Sequence, residues 1–204
     1  MYIEPIKVYV ICLVLGYLLG NVQFAVIFSH LLHRDDVRRH GSGNAGSTNM
    51  LRVFGLKSGA LTFVGDFLKG AAAVLIGRSL GGNPGSYAMA FGVVLGHDFP
   101  VFFSFKGGKG VASSLGVAWL INPLFGAIST VAGLGMVFYS KMVSVGSMFG
   151  TTVFLLLALC FGADMGQRIL ALLLWAFVIL RHAENISRIR SGQEAKISLG
   201  KKKQ

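Results

Sequence analysis

The amino-acid sequence predicts an all-α integral membrane protein of about seven transmembrane helices, some of them short, with its polar loops on the cytoplasmic side. Three observations carry that reading. Of 204 residues, 53% are hydrophobic and only 13% charged, and the mean hydropathy is +0.66, too apolar for an ordinary soluble domain. The apolar residues fall in runs of helical character. The basic residues fall in short loops between those runs, which is the pattern of a topology signal; no RNA-binding signature, zinc spacing or separate basic domain marks a nucleic-acid partner.

The runs lie at 8–32, 59–80, 86–99, 111–121, 123–140, 143–162 and 168–182. The first, VYVICLVLGYLLGNVQFAVIFSHLL, is too long for a signal peptide and is followed by further apolar segments, so it reads as a retained helix. The second carries Asp66 and Lys69 in FVGDFLKG. Ionisable groups at such depth are costly unless paired or facing a polar cavity, and an intrahelical structural pair is the preferred reading. The third runs into a long polar stretch. The fourth, VASSLGVAWLI, rises only ~16 Å against a hydrocarbon core of ~30 Å, so it is a short inclined helix or a re-entrant half-helix. Asn122-Pro123 separates it from the fifth, because proline removes a backbone donor and disfavours helix in the residue before it. The sixth opens within KMVSVGSM, and the seventh contains LLLWAFVIL. Cys12 and Cys160 sit in apolar runs without CxxC or a nearby histidine and read as packing residues.

Charge fixes the number of crossings. With seven crossings and the N-terminus outside, one face receives Arg34, Arg38, Arg39, Arg52 and Lys57, then Lys106 and Lys109, then Lys141, then Arg188, Arg190, Lys196, Lys201, Lys202 and Lys203. These are 14 of the 19 lysines and arginines, so the positive-inside rule places that face in the cytoplasm. Merging 111–121 with 123–140 would send Lys141 and the basic tail outside. The chain reads as one membrane domain over 1–204 with a basic tail over 183–204, without internal repeat or low-complexity tract. Its last residues, GKKKQ, read as a lipid-headgroup anchor or a cloning remnant.

Three polar stretches share the cytoplasmic face. In DVRRHGSGNAGSTNMLRVFG (36–55), glycines, hydroxyls and amides can turn backbone N–H groups toward an anion, with Arg38 and Arg52 adding charge; a solvated turn is the plainer alternative. In GHDFPVFFSFKGGKGVASS (96–114), GGKG is not a Walker loop, since GxxxxGK[ST] would need Gly at 103 and Ser or Thr at 110, where the chain has Phe103 and Gly110. What remains is a Gly-Lys nest leading into a helix that starts near Val111, where free N–H groups and the helix dipole favour a phosphate. An interfacial turn with snorkelling lysines is the alternative. Gly108 is expected at a positive φ that a β-branched residue would resist. In RHAENISRIRSGQEAKI (181–197), His182 and Asn185 recur at helical spacing and share a face with Arg188 or Ile189; a basic amphipathic tail lying on the bilayer is the commoner meaning of such a segment. Ser144 falls on the same cytoplasmic face.

These stretches resemble, in order, the signatures of the bacterial acyl-phosphate-dependent glycerol-3-phosphate acyltransferases of the PlsY type: DxRxxGSGNxGxTNxxR at 36–52, GHxFPxFxxFKGGKGVA at 96–112 and HxxNIxRIxxGxExKI at 182–197. GDFLKG (65–70) and VSVGSM (143–148) extend the likeness through nearly the whole chain. Ser47 stands where alanine is usual, and Ser113 where threonine is usual. The resemblance implies an acyltransferase of the bacterial inner membrane that moves a fatty acyl group from acyl phosphate to the 1-hydroxyl of glycerol 3-phosphate. The products would be lysophosphatidic acid and phosphate, the first step of phospholipid synthesis, with no cofactor and no metal. Phosphate binding is then expected of Arg38, Ser42, Gly43, Asn44, Thr48, Asn49, Arg52, Lys106, Gly107, Gly108, Lys109, Gly110 and Arg188, and orientation of the acceptor hydroxyl of Ser144, His182 and Asn185. The base is His182 or a phosphate oxygen of the donor, and the resemblance leans toward the donor.

Rivals fit less well. His30-Leu-Leu-His-Arg-Asp35 matches the HX4D spacing of another acyltransferase class, but it ends an apolar run and lacks an FPEGTR-like partner. Asp35, Asp36, Asp66, Asp98 and Asp164 are too scattered for a CDP-alcohol phosphotransferase. A transporter of organic phosphate or another anion would use similar small and charged residues, but no paired repeats are present.

Overall fold

The computed structural model of the chain describes residues 5–161 and 163–197. The GKKKQ tail, with Lys201, Lys202 and Lys203, lies outside the described residues. Among the described residues eight α-helices run α1 Pro5–Gly20, α2 Phe24–His33, α3 Ser47–Asp98, α4 Val111–Ile121, α5 Pro123–Ser140, α6 Val143–Cys160, α7 Met165–Arg181 and α8 Ala183–Arg190. The all-α fold expected from the sequence is what the chain adopts.

Two boundaries differ from the sequence reading, each for a local reason. The first apolar run is two helices, broken at 21–23. There Asn21 Nδ2 donates back to the Tyr17 carbonyl at 2.7 Å and Gln23 Nε2 to the Gly20 carbonyl at 3.2 Å, so side chains compete with the backbone ladder. The helix expected from 59 begins already at Ser47, and a single departure at Gly55, φ +84°, bends it before the apolar part starts.

α3 is itself two antiparallel legs. Gly81 and Gly82 leave helical geometry just before Pro84; Gly77 packs on the Gly85 carbonyl, and Asp66 stands 3.5 Å from His97 on the returning leg. That leg packs on α1 through glycines spaced four apart on both partners. A Cβ at Gly16, Gly20, Gly92 or Gly96 would overlap backbone of the facing helix. Backbones in such close register gain van der Waals contact, which lipid cannot supply as a hydrophobic driving force.

The crossings alternate as the charge distribution requires. At one end of the bundle Gly81 lies against Val8 and Tyr9, Arg78 donates to the Leu120 carbonyl at 3.2 Å, and Tyr87 donates to Asp164 at 2.6 Å. At the other end the 34–46 loop, the 99–110 loop, Lys141 and the segment from His182 onward gather, with Ile197 N–H donating to the Lys141 carbonyl at 2.7 Å. By length and apolarity four segments among the described residues qualify as spans, or five if α7 and α8, bent by 55°, count as one. The 47–103 segment contributes two legs, and α4, of 11 residues, is an apolar helix shorter than a span, between them and α5. The interior is packed with apolar residues, small and large, among them Cys12, Ala73, Val74, Met89, Val93, Val117, Leu170 and Leu174. Large apolar side chains such as Ile6, Leu68, Val131, Phe138 and Leu172 face outward, as a lipid solvent allows. Cys160, expected to pack, is exposed on that outer surface.

Candidate active site

The site grows from the loop between the returning leg of α3 and α4. Ser104 and Phe105 take φ of +54° and +60°, and Gly110, at φ +69°, turns the chain into α4, whose first N–H groups have no side-chain cap. Those free donors and the helix dipole make this end electropositive. Gly108 does not have the expected positive φ; that conformation belongs to Gly110. The constraint on Gly108 is steric: its N–H donates to the His97 carbonyl at 3.0 Å, and a Cβ there would overlap Nε2 of His97.

Residues 107–109 are where the three polar stretches meet. Asn44 of the first stretch donates from Nδ2 to the Gly107 carbonyl at 3.3 Å. Arg181 donates from Nε and Nη2 to the Gly108 carbonyl at 3.1 and 2.8 Å and from Nη2 to that of Gly107 at 3.4 Å, while its guanidinium lies 4.9 Å over the Phe99 ring. Lys109 donates to Asn185 Oδ1 of the third stretch. Burial, and then the charge of Arg188, hold the Lys109 ammonium below its ordinary pKa.

Glu194 organises the C-terminal part. Its carboxylate accepts from Ser144 Oγ at 2.6 Å, Asn185 Nδ2 at 2.6 Å and Arg188 Nε at 2.9 Å. Burial pushes its pKa up, but these three donors outweigh burial and hold it below the usual carboxylate value. His182, 3% exposed, caps α7. Its Nδ1 is 2.7 Å from the Val178 carbonyl, which can only accept; Nδ1 therefore carries the proton and Nε2 keeps its lone pair.

In the first stretch Asn49 shapes the loop. Its Oδ1 accepts from Ser42 N–H at 3.0 Å, and its Nδ2 donates to the carbonyls of Val37, His40 and Asn44 at 3.1, 3.0 and 3.1 Å. Gly43 supports the turn at φ +70°. Arg38 is held by Asp36, Nη2 to Oδ2 at 2.7 Å, and lies over Phe103 at 5.3 Å. The hydrogen bond from Arg38 is also the main reason the Asp36 carboxyl titrates below its ordinary value. The side chains of Ser42, Thr48, Arg52 and Lys106 make no hydrogen bond to other described residues. Arg38 and Lys106 line a shallow depression of about 340 Å³ with Asp36, Arg39, Phe103 and Ser104. Among the described residues no three His, Cys, Asp or Glu side chains are grouped to hold a metal ion.

Three participants were not among the residues expected from the sequence. Arg181 ends an apolar run and looks like a snorkelling cation. Glu194 stands inside the third motif but is, with Glu184, one of only two acids among bases. His97 precedes the loop and is buried inside α3. The motif positions of Glu194 and of His97, the latter in GHxFP, were the signals on offer.

Comparison with known proteins bears on this arrangement. A family model described as glycerol-3-phosphate acyltransferase matches residues 10–192. A glycerol-3-phosphate acyltransferase of Thermoanaerobacter sp. (strain X514) is 42% identical over 188 residues, covering 92% of this chain and 95% of the relative. One from Clostridioides difficile (strain 630) is 40% identical, covering 96% and 98%. The crystal structure of PlsY (YgiH), an integral membrane glycerol 3-phosphate acyltransferase, in its glycerol 3-phosphate form, superposes with a TM-score of 0.88 at 36% identity, covering 93% of this chain and 96% of that one. Its lysophosphatidic acid form gives 0.86 at 35% identity, covering 93% and 95%.

Proposed function

The chain belongs to the glycerol-3-phosphate acyltransferase family, and from that membership we propose that it acylates the 1-hydroxyl of glycerol 3-phosphate with acyl phosphate as donor. The observation that carries this reading is the convergence of three polar stretches on Gly107, Gly108 and Lys109. Both substrates carry phosphate, and the free N–H groups opening α4 form, with nearby cations, a site that favours such anions. The transporter alternative loses its support with the family assignment.

In this reading Arg52 and Lys106, whose side chains are uncommitted, contact substrate phosphate, with Ser42, Gly43, Thr48 and the 106–110 loop as the cradle. Asn44 and Asn49 serve by shaping that cradle, and Arg38 and Arg188 add positive charge. Ser144, His182 and Asn185 orient the acceptor. The hydroxyl oxygen attacks the acyl carbon, the tetrahedral intermediate collapses, and the bond from acyl carbon to phosphate oxygen breaks. The hydroxyl proton passes to a phosphate oxygen of the donor or to the unprotonated Nε2 of His182. Phosphate is a good leaving group from this mixed anhydride, so no acyl-enzyme is required, and holding the reactants together supplies most of the rate. The clustering of Lys and Arg at the same end of the bundle supports a cytoplasmic active site in the bacterial inner membrane.

Detergent-purified protein tests the donor. Phosphate release that depends on acyl phosphate and glycerol 3-phosphate together, with no product from acyl-CoA or acyl carrier protein, is the expected result. Equal rates with acyl-CoA would refute the donor assignment while leaving the acceptor intact.

A further inference from the structure

Lys69 has more partners than an intrahelical ion pair requires. It is 4% exposed, in the apolar part of α3, and its ammonium lies 2.8 Å from Asp66 Oδ1. It also donates to the carbonyls of Val22 and Gly20, at 2.6 and 3.3 Å, and contacts His97 Nδ1 at 2.8 Å. The two carbonyls belong to the last residue of α1 and to the break that follows it, where backbone acceptors lose helical partners. Gln23, also in the break, donates to the His97 carbonyl at 3.1 Å. His97 is thus fixed at its ring and at its carbonyl by groups within the membrane.

An ammonium only donates, so Nδ1 of His97 accepts from Lys69 and the ring proton sits on Nε2. The same residue meets the glycine loop twice: its carbonyl accepts the Gly108 N–H at 3.0 Å, and its Nε2 occupies the space a Gly108 side chain would need. Ring orientation at His97 therefore sets how the loop lies. Asp66 keeps the Lys69 ammonium charged in a low-dielectric setting where an unpaired cation would be expensive.

We propose that Lys69 is a positioning residue for the anion-binding loop, acting through His97 on Gly108. The inference rests on the reading of that loop as the phosphate site. A buried cation separated from the loop by the His97 ring sets the loop's geometry without touching the ligand, as outer contacts orient the ligands of a metal.

Full-length protein in detergent is compared with Lys69→Met, His97→Asn and the double variant. Thermal midpoint, kcat, KM for glycerol 3-phosphate and Kd for inorganic phosphate are measured for each. Asparagine keeps a polar group near the Nδ1 position but removes the ring from Gly108. Each single change is expected to raise KM and the phosphate Kd about tenfold, equivalent to about 1.4 kcal/mol, with kcat altered much less. The double variant should be no worse than the more severe single one, because both changes break one chain of contacts. A pair that only staples helices would lower the thermal midpoint and the yield of active enzyme while leaving KM and Kd at wild-type values. That outcome overturns the proposal, as does full additivity. If Lys69→Met does not fold, His97→Asn decides by the same two constants. Wild-type protein that binds phosphate but transfers no acyl group would refute the assigned activity, and the Kd ratios would still judge the positioning.

Discussion

The ammonium of Lys109 donates to Asn185 Oδ1, joining the glycine loop to α8 across 76 positions of sequence. Asn185 passes the link to Glu194, and Glu194 to Ser144 and Arg188. The loop, the tail and the start of α6 are one hydrogen-bonded unit, so a change at either end is felt at the other. Lys106, three residues away, is exposed and outside that unit.

The two lysines should accordingly respond differently. Lys109→Ala removes a charge-assisted hydrogen bond of roughly 1.5–3 kcal/mol and leaves Asn185 without its donor. It is expected to lower kcat/KM ~10- to 150-fold and to lower the thermal midpoint. Lys106→Ala is expected to weaken glycerol 3-phosphate binding at an unchanged thermal midpoint. Steady-state kinetics with a thermal melt of each variant checks both, and wild-type kinetics in both folded variants would remove the loop from the active site.

Glu194 predicts an acid limit for the tail. Its folded pKa lies below the unfolded carboxylate value, so the folded state binds fewer protons there and stability rises with pH through that interval. The contribution is fully present above the ordinary carboxylate value and disappears as pH falls through the depressed one. Thermal midpoints recorded between neutrality and pH 3 should fall more steeply for wild type than for Glu194→Gln, which starts lower and has nothing left to titrate at that site. Parallel curves would exclude Glu194 as the latch.

Gly108→Ala should impair activity at least as much as Lys109→Ala, because the new methyl overlaps the His97 ring. Gly192→Ala is the useful contrast: its φ is +72°, yet nothing lies within 4 Å of the added atom, so only backbone strain on the surface results. Activity assays on the two proteins separate steric exclusion from conformational cost.

Single cysteines in a background lacking Cys12 and Cys160 test the direction of insertion. Asn83→Cys and Ser191→Cys lie in exposed positions at opposite ends of the bundle. An impermeant thiol reagent applied to intact cells should label the first and spare the second. Labelling of both, or neither, would refute seven crossings.

The sequence made the crossings legible because apolar runs and basic loops are local signals. Asn122-Pro123 marked the α4–α5 boundary for the same reason, and Asn122 does cap α5, its Oδ1 accepting from Phe125 N–H at 3.2 Å. The break at 21–23 was not legible. Asn21 and Gln23 looked like two polar residues in a long helix, and their partners, Phe102 N–H and the His97 carbonyl, are 81 and 74 positions away. Asp66 and Lys69 were expected to pair, and they do at 2.8 Å; the further reach of Lys69 to the Gly20 and Val22 carbonyls and to His97 depends on tertiary packing. Arg181 was hidden by its surroundings, since a cation closing an apolar helix normally marks only the membrane surface.

The carbonyls of Gly107 and Gly108, held by Asn44 and Arg181, bear on the thermodynamics of binding. Glycine loses more conformational freedom than any other residue when it is fixed, so a loop of this composition would ordinarily charge that loss against ligand affinity. Here the loop backbone is tied down by side chains of two distant segments of the chain itself. The entropy is surrendered when the helices assemble, and an arriving anion finds donors already aligned. Association at this loop should therefore show little of the unfavourable ordering entropy typical of glycine-rich segments that close only around their ligand.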